Sequence, residues 1–272
     1  TCALPISLLD NAPLRGLLER ALDFRAIDQA IKSGALYALS VTASGYSSGQ
    51  SLAFFQGSLD IHPWRREQRM GVRTELTIEH LMASSALPFV FPAVRIHREW
   101  FGDGSMRQLA PVSPAIHLGA ERILVVGAGR TAEEGRQRAE RYPSPAQIAG
   151  HALSSIFLDT LAVDLERLAR INDTVSRLEP AQRQFAGIGL RAIETLVIQP
   201  SQRLDTIAGR HGHQLPRLLR MVLRGLGTMR REGSTLLSYL LFEPGFTRTL
   251  IELGYDDAMA RKSELSDFLR IG

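Results

Sequence analysis

Ala83-Ser84-Ser85-Ala86-Leu87-Pro88-Phe89-Val90-Phe91-Pro92, followed by Trp100-Phe101-Gly102-Asp103-Gly104-Ser105, is the stretch that decides how this chain is read. Small residues close a helix, and Pro88 and Pro92 keep it from resuming. Proline lacks the N–H a helix needs and biases the residue before it toward extended backbone. The glycines on either side of Asp103 let the backbone bend sharply and bring the carboxylate toward another loop. A carboxylate held this way can accept a proton or orient a nucleophile. Asp-Gly is also an ordinary turn pair, and on these residues alone the ordinary turn is the better reading.

Working outward, Leu76 to Ser85 reads as a helix with Thr77 as its N-cap. Upstream, Ala35 to Thr42 and Ser51 to Gln56 read as strands around the turn-rich Ser44-Gly45-Tyr46-Ser47-Ser48-Gly49. Before them, Pro13 opens a helix with Leu14, Leu17, Leu18, Ala21 and Leu22 at helical spacing, and Phe24 to Lys32 forms a second, stopped near Gly34. Downstream, Val112 to Leu118 reads as a short helix, and Ile123 to Val126 as a strand buried on both faces. Strands separated by helices point to an α/β layer architecture.

The remainder is different in character. Gly129 to Ala146 is charged and holds Pro143 and Pro145, the composition of a surface loop. Ile148 to Leu178 carries a long apolar periodicity, and Glu194 to Gln199 offers one strand, stopped by Pro200. Leu215 to Ile271 reads as three helices, separated at Gly225-Leu226-Gly227 or Gly233 and at Pro244-Gly245. The expected organisation is an α/β domain over 1–130, a linker over 131–146 and a mainly helical region over 147–272, with the further strand at 194–199.

The run "ASSALPFVFP", then "DGS", then "PVSPAIHLGAERILVV" resembles the signature of the patatin-like phospholipases. The opening "LLDNAPLRGLLERALDF" and "GALYALSVTASGYSSGQSLAFF" resemble the segment that follows that family's nucleophile helix. The likeness covers roughly Leu8 to Gly129 and keeps the order of elements. It implies a three-layer α/β/α domain, N-terminally incomplete here, with a helical extension. It implies a lipid acyl hydrolase with a Ser-Asp dyad, of which this chain carries the acid, Asp103. Gly104 and Ser105 complete the family's Asp-Gly-Gly or Asp-Gly-Ala motif, with Ser105 where glycine or alanine is usual. The family's glycine-rich oxyanion loop and G-x-S-x-G elbow are expected before Thr1, so the chain alone is expected to be inactive. Missing first strands would also leave sheet edges exposed and the isolated chain poorly soluble. A non-catalytic scaffold of the same fold, or an esterase for soluble acyl esters, are the other readings.

Composition narrows the classes. Hydrophobic residues make up 44% and charged residues 22%, the balance of a globular chain. The longest apolar runs, such as Leu236 to Phe242, are too short to span a bilayer, and no signal peptide is visible. A cytoplasmic or peripheral-membrane location is expected. Thr1 in place of a methionine suggests a processed or incomplete chain. Cys2 is the sole cysteine, so an intramolecular disulfide and a cysteine-based zinc site are excluded. Lys32 and Lys262 are the only lysines among 32 basic residues, an arginine bias that reads as genome composition. Neither a nucleic-acid partner nor a cofactor is implied; the expected partner is a lipid or other acyl ester.

Several motifs resemble sites without fitting them. Gly45-Tyr46-Ser47-Ser48-Gly49 matches G-x-S-x-G, but a nucleophile elbow needs a helix after its turn, and Gln50 to Phe55 is strand-like. Ser47 is therefore rejected as the nucleophile. Gly127-Ala128-Gly129 follows a strand yet lacks the helix and second strand of a dinucleotide site. His211-Gly212-His213 has no third metal ligand at convincing spacing, and all seven histidines read as surface or locally hydrogen-bonded. From 215 to 231, Leu215, Leu218, Leu219, Val222, Leu226 and Met229 share a helical face opposite Arg217, Arg220, Arg224 and Arg231. That pattern reads as a helix packed on its domain, with peripheral contact to anionic lipid as the alternative.

Overall fold

A computed structural model of the chain describes residues 7, 9–88, 90–127, 148, 160–178, 190–215, 220, 221 and 234–271. Contacts divide the chain into two compact units, Thr1–Ala120 and Glu121–Gly272.

The first unit opens with α1 (Ala12–Ala21), which has Pro13 in its first turn, and α2 (Phe24–Lys32), capped by Asp23 through the Arg25 N–H. β1 (Ala38–Gly45) and β2 (Ser51–Gly57) follow as an antiparallel pair. Val41 and Ala43 of β1 point to one face, and Ser40, Thr42 and Ser44 to the other, as strand alternation requires. The hairpin β3 (Trp64–Arg66) and β4 (Arg69–Arg73) joins the sheet through a parallel pairing of β4 with β2. Then come α3 (Ile78–Ser84), the hairpin β5 (Val94–Ile96) and β6 (Glu99–Asp103), a 3₁₀ turn at Gly104–Arg107, and α4 (Ser113–His117). The six strands form one mixed sheet in the order β3-β4-β2-β1-β6-β5.

α3 packs on β1, β5 and β6, and α2 on β2. Between them lie Ala43, Phe54, Leu76, Ala83, Ile96 and Phe101, all buried. Phe54 and Phe101 meet edge to face at 5.4 Å, an arrangement worth about 0.5–1.5 kcal/mol beyond the area it buries. Arg15 grips Glu79 with two hydrogen bonds of 2.7 Å and so ties α1 to α3. This is an α/β fold of mixed sheet and helices.

The second unit holds β7 (Arg122–Val126) and β8 (Glu194–Ile198), paired in parallel. Its described helices are α5 (Thr160–Ser176), α6 (Leu204–His211), α7 (Ser234–Leu240), α8 (Pro244–Ala260) and α9 (Lys262–Leu269). The Asn172 side chain accepts the Ile193 N–H at 2.9 Å and donates to the Ile193 carbonyl at 2.7 Å, pinning α5 to the strand region.

Several expectations need correction. β1 runs to Gly45, where a turn is expected from Ser44, because β6 pairs with Ala43 to Gly45 and holds them extended. β3 to β6 were not read as strands: runs of three to five residues are too short to display alternation, and the ladder decides them. β7 is not buried on both faces: only Ile123 is buried and Val126 is 76% exposed, since β8 is its one neighbour among the described residues. The helix at Leu204–His211 was also missed. The loop expected over 129–146, the first part of the apolar periodicity over 148–178 and most of 215–231 fall outside the described residues.

Candidate active site

Asp103 ends β6, and its backbone N–H donates to the Ala86 carbonyl just beyond α3 at 3.0 Å. The small-residue helix end and the Asp-Gly turn, adjacent in the sequence argument, are therefore adjacent in space. The residue then caps the 3₁₀ turn. Its Oδ1 accepts the Ser105 N–H at 2.9 Å and the Ser105 hydroxyl. Ser105 thus orients one carboxylate oxygen.

The two glycines are there because backbone and ring come close. A Cβ on Gly104 would lie 2.2 Å from the Thr42 carbonyl oxygen, so the turn can press against β1 only with no side chain. A Cβ on Gly102 would lie 2.5 Å from the Tyr46 hydroxyl, which covers that position. Ser44 adds a hydrogen bond from its hydroxyl to the Gly104 carbonyl at 3.3 Å.

Electrostatically, burial pushes the Asp103 carboxyl above its ordinary value; the Ser105 hydrogen bonds pull it down without cancelling that effect. The Tyr46 phenol is pushed up as well, first by burial and then by the charge on Asp103. A carboxyl with a raised pKa is a stronger base when ionised, which suits proton transfer near neutral pH.

Ser47 lies in the turn between antiparallel β1 and β2. Its N–H donates to Glu99 Oε1 at 3.1 Å, and the Ser48 N–H reaches the same oxygen at 2.6 Å. The look-alike motif has a strand on each side, so it lacks the helix N-terminus an elbow uses. Tyr46 and Glu99 were not singled out from the sequence. They are brought together by the β1–β6 register, and no local pattern signals it.

The histidines are mostly held by near neighbours. His211 contacts Gln214 and Thr249, His213 bonds the Arg210 carbonyl through its ring, and His117 bonds the Ser113 carbonyl. His80 differs, being buried against Phe54 with Nδ1 receiving the Thr77 N–H and Nε2 unpartnered. Among the described residues no group of three or more His, Cys, Asp or Glu could hold a metal, and no helix is long and apolar enough to cross a membrane.

A mixed α/β sheet that delivers a glycine-flanked carboxylate from a strand end defines a class of fold with a strand-end acid. Residues 4–116 match the family model described as Patatin-like phospholipase, and this part of the chain is similar to that family. No curated protein and no solved structure matches the chain significantly.

Proposed function

We propose that Asp103 is the acid–base partner of a serine nucleophile in a dyad that hydrolyses an acyl ester of a lipid. The observation that carries this reading is the Asp103 carboxyl: delivered by a glycine-flanked turn, oriented through one oxygen by Ser105, and raised in pKa by burial. The family match over residues 4–116 supports the lipid substrate. In the reaction the serine hydroxyl attacks the ester carbonyl while Asp103 takes its proton. That proton passes to the departing alcohol as the acyl-enzyme forms. Water, deprotonated by Asp103, then releases the fatty acid and restores the serine.

The test is fluorophosphonate labelling of the full-length protein, with the modified serine mapped, alongside hydrolysis of soluble and vesicle-borne esters. Asp103→Asn is expected to lower kcat about 10²–10⁴-fold, the contribution of a positioned general base. Labelling at Ser47 would overturn the site, and a folded protein that neither labels nor hydrolyses would favour a non-catalytic module.

A further inference from the structure

The part of the β5–β6 hairpin before Phe101 takes no part in the dyad chemistry. Arg95 stands directly across the ladder from Trp100, so the two side chains share one face of the sheet. Tyr46, the first residue of the turn after β1, extends the row by donating its N–H to the Trp100 carbonyl at 2.9 Å. All three are exposed, Trp100 by 52% and Tyr46 by 49%. The opposite face of the same hairpin, Ile96 and Phe101, is buried in the core, so the exposure is one-sided.

The hairpin also projects. β6 pairs with β1 only from Phe101 to Asp103, and the segment carrying Arg95, His97, Arg98 and Trp100 runs past the end of that ladder. Its one carboxylate, Glu99, is engaged by the N–H groups of Ser47 and Ser48. Among the described residues no carboxylate pairs with Arg95 or Arg98. The result is a cationic tip beside two exposed amphipathic aromatics, and the Tyr46 ring of this row lies over Gly102, next to Asp103.

We propose that Arg95, Arg98, Trp100 and Tyr46 dock the protein on the headgroup layer of an anionic phospholipid bilayer. The proposal deepens the acyl-hydrolase reading and rests on it for the identity of the partner. Tryptophan and tyrosine favour the membrane–water interface because an apolar ring and a polar edge are satisfied there together. Each arginine near an anionic surface adds attraction that salt weakens.

The chain has two tryptophans, and Trp64 is stacked between Phe55 at 5.2 Å and His117 at 4.8 Å. A change in emission on vesicle binding therefore reports Trp100. With vesicles of phosphatidylcholine and phosphatidylglycerol, the expected result is a blue shift quenched by brominated lipid, absent in Trp100→Phe. The double variant R95Q/R98Q should bind about tenfold more weakly. Retained Trp64 emission shows that each variant is folded. Equal binding to pure phosphatidylcholine, or binding unchanged in both variants, would overturn the proposal. Asp103→Asn, run in parallel on a soluble ester, tests the catalytic reading separately, because vesicle binding does not depend on that carboxylate's proton transfer.

Discussion

Asp103 is held in a place that favours its neutral form, and this has a consequence for stability. The native state keeps the carboxyl protonated to higher pH than the unfolded chain does. Its stabilising contribution is complete below the ordinary value of 3.8 and is lost as pH rises through the raised native value. Asp103→Asn is neutral at every pH and keeps an oxygen to accept from Ser105. Its stability relative to the natural chain should therefore grow as pH rises toward neutrality, which urea melts across pH would show; a pH-independent difference would contradict the burial argument. Gly104 makes the opposite kind of demand. Gly104→Ala places a methyl against the Thr42 carbonyl, which is backbone and cannot step aside. A cost of about 1–3 kcal/mol is expected in the same melts, as for other overpacked sites. The need for glycine was legible at the level of a sharp turn, but the particular obstacle was not, since Thr42 and Gly104 meet only through strand pairing.

At the scale of elements, α3 depends on its first turn. Thr77 was readable as the N-cap, and His80 stands where a capping box has Glu or Gln. Its Nδ1 accepts the Thr77 N–H, which requires the neutral ring, and burial lowers the imidazole pKa below 6.5. His80 thus contributes stability that is present above 6.5 and lost as pH falls through its lower native value. Gln at this position keeps an acceptor without titrating. His80→Gln should flatten the loss of stability on acidification below neutrality, measured by circular dichroism; an unchanged slope would mean that other groups control it. The short strands mark the limit of reading elements from the sequence. β1 and β2 are long enough to alternate, whereas β3 and β5 have three residues each and exist by virtue of their partners.

On the scale of the whole molecule, two compact units carry different kinds of order. The first is organised by the six-stranded sheet and holds the candidate site. In the second, the Asn172 side chain satisfies both backbone groups of Ile193, a residue 2% exposed. Asn172→Ala would leave those groups unpaired in the interior, at a cost of about 1–3 kcal/mol. Hydrogen exchange should place the loss of protection in β7 and β8; unchanged protection there would refute the assignment.

By itself the sequence determined the α/β character of the first unit, the helix–proline–Asp-Gly order, and the likeness to the patatin-like phospholipases. These are carried by residues close together in the chain, where periodicity, proline and glycine act directly on the backbone. Tertiary structure alone decided which strands exist between Gly57 and Gly104, that Glu99 would hold the Ser47 turn, and that Tyr46 would cover Gly102. Those outcomes depend on register between strands some 50 residues apart. Such register is set by how the buried faces pack together, and no local stretch of sequence contains it.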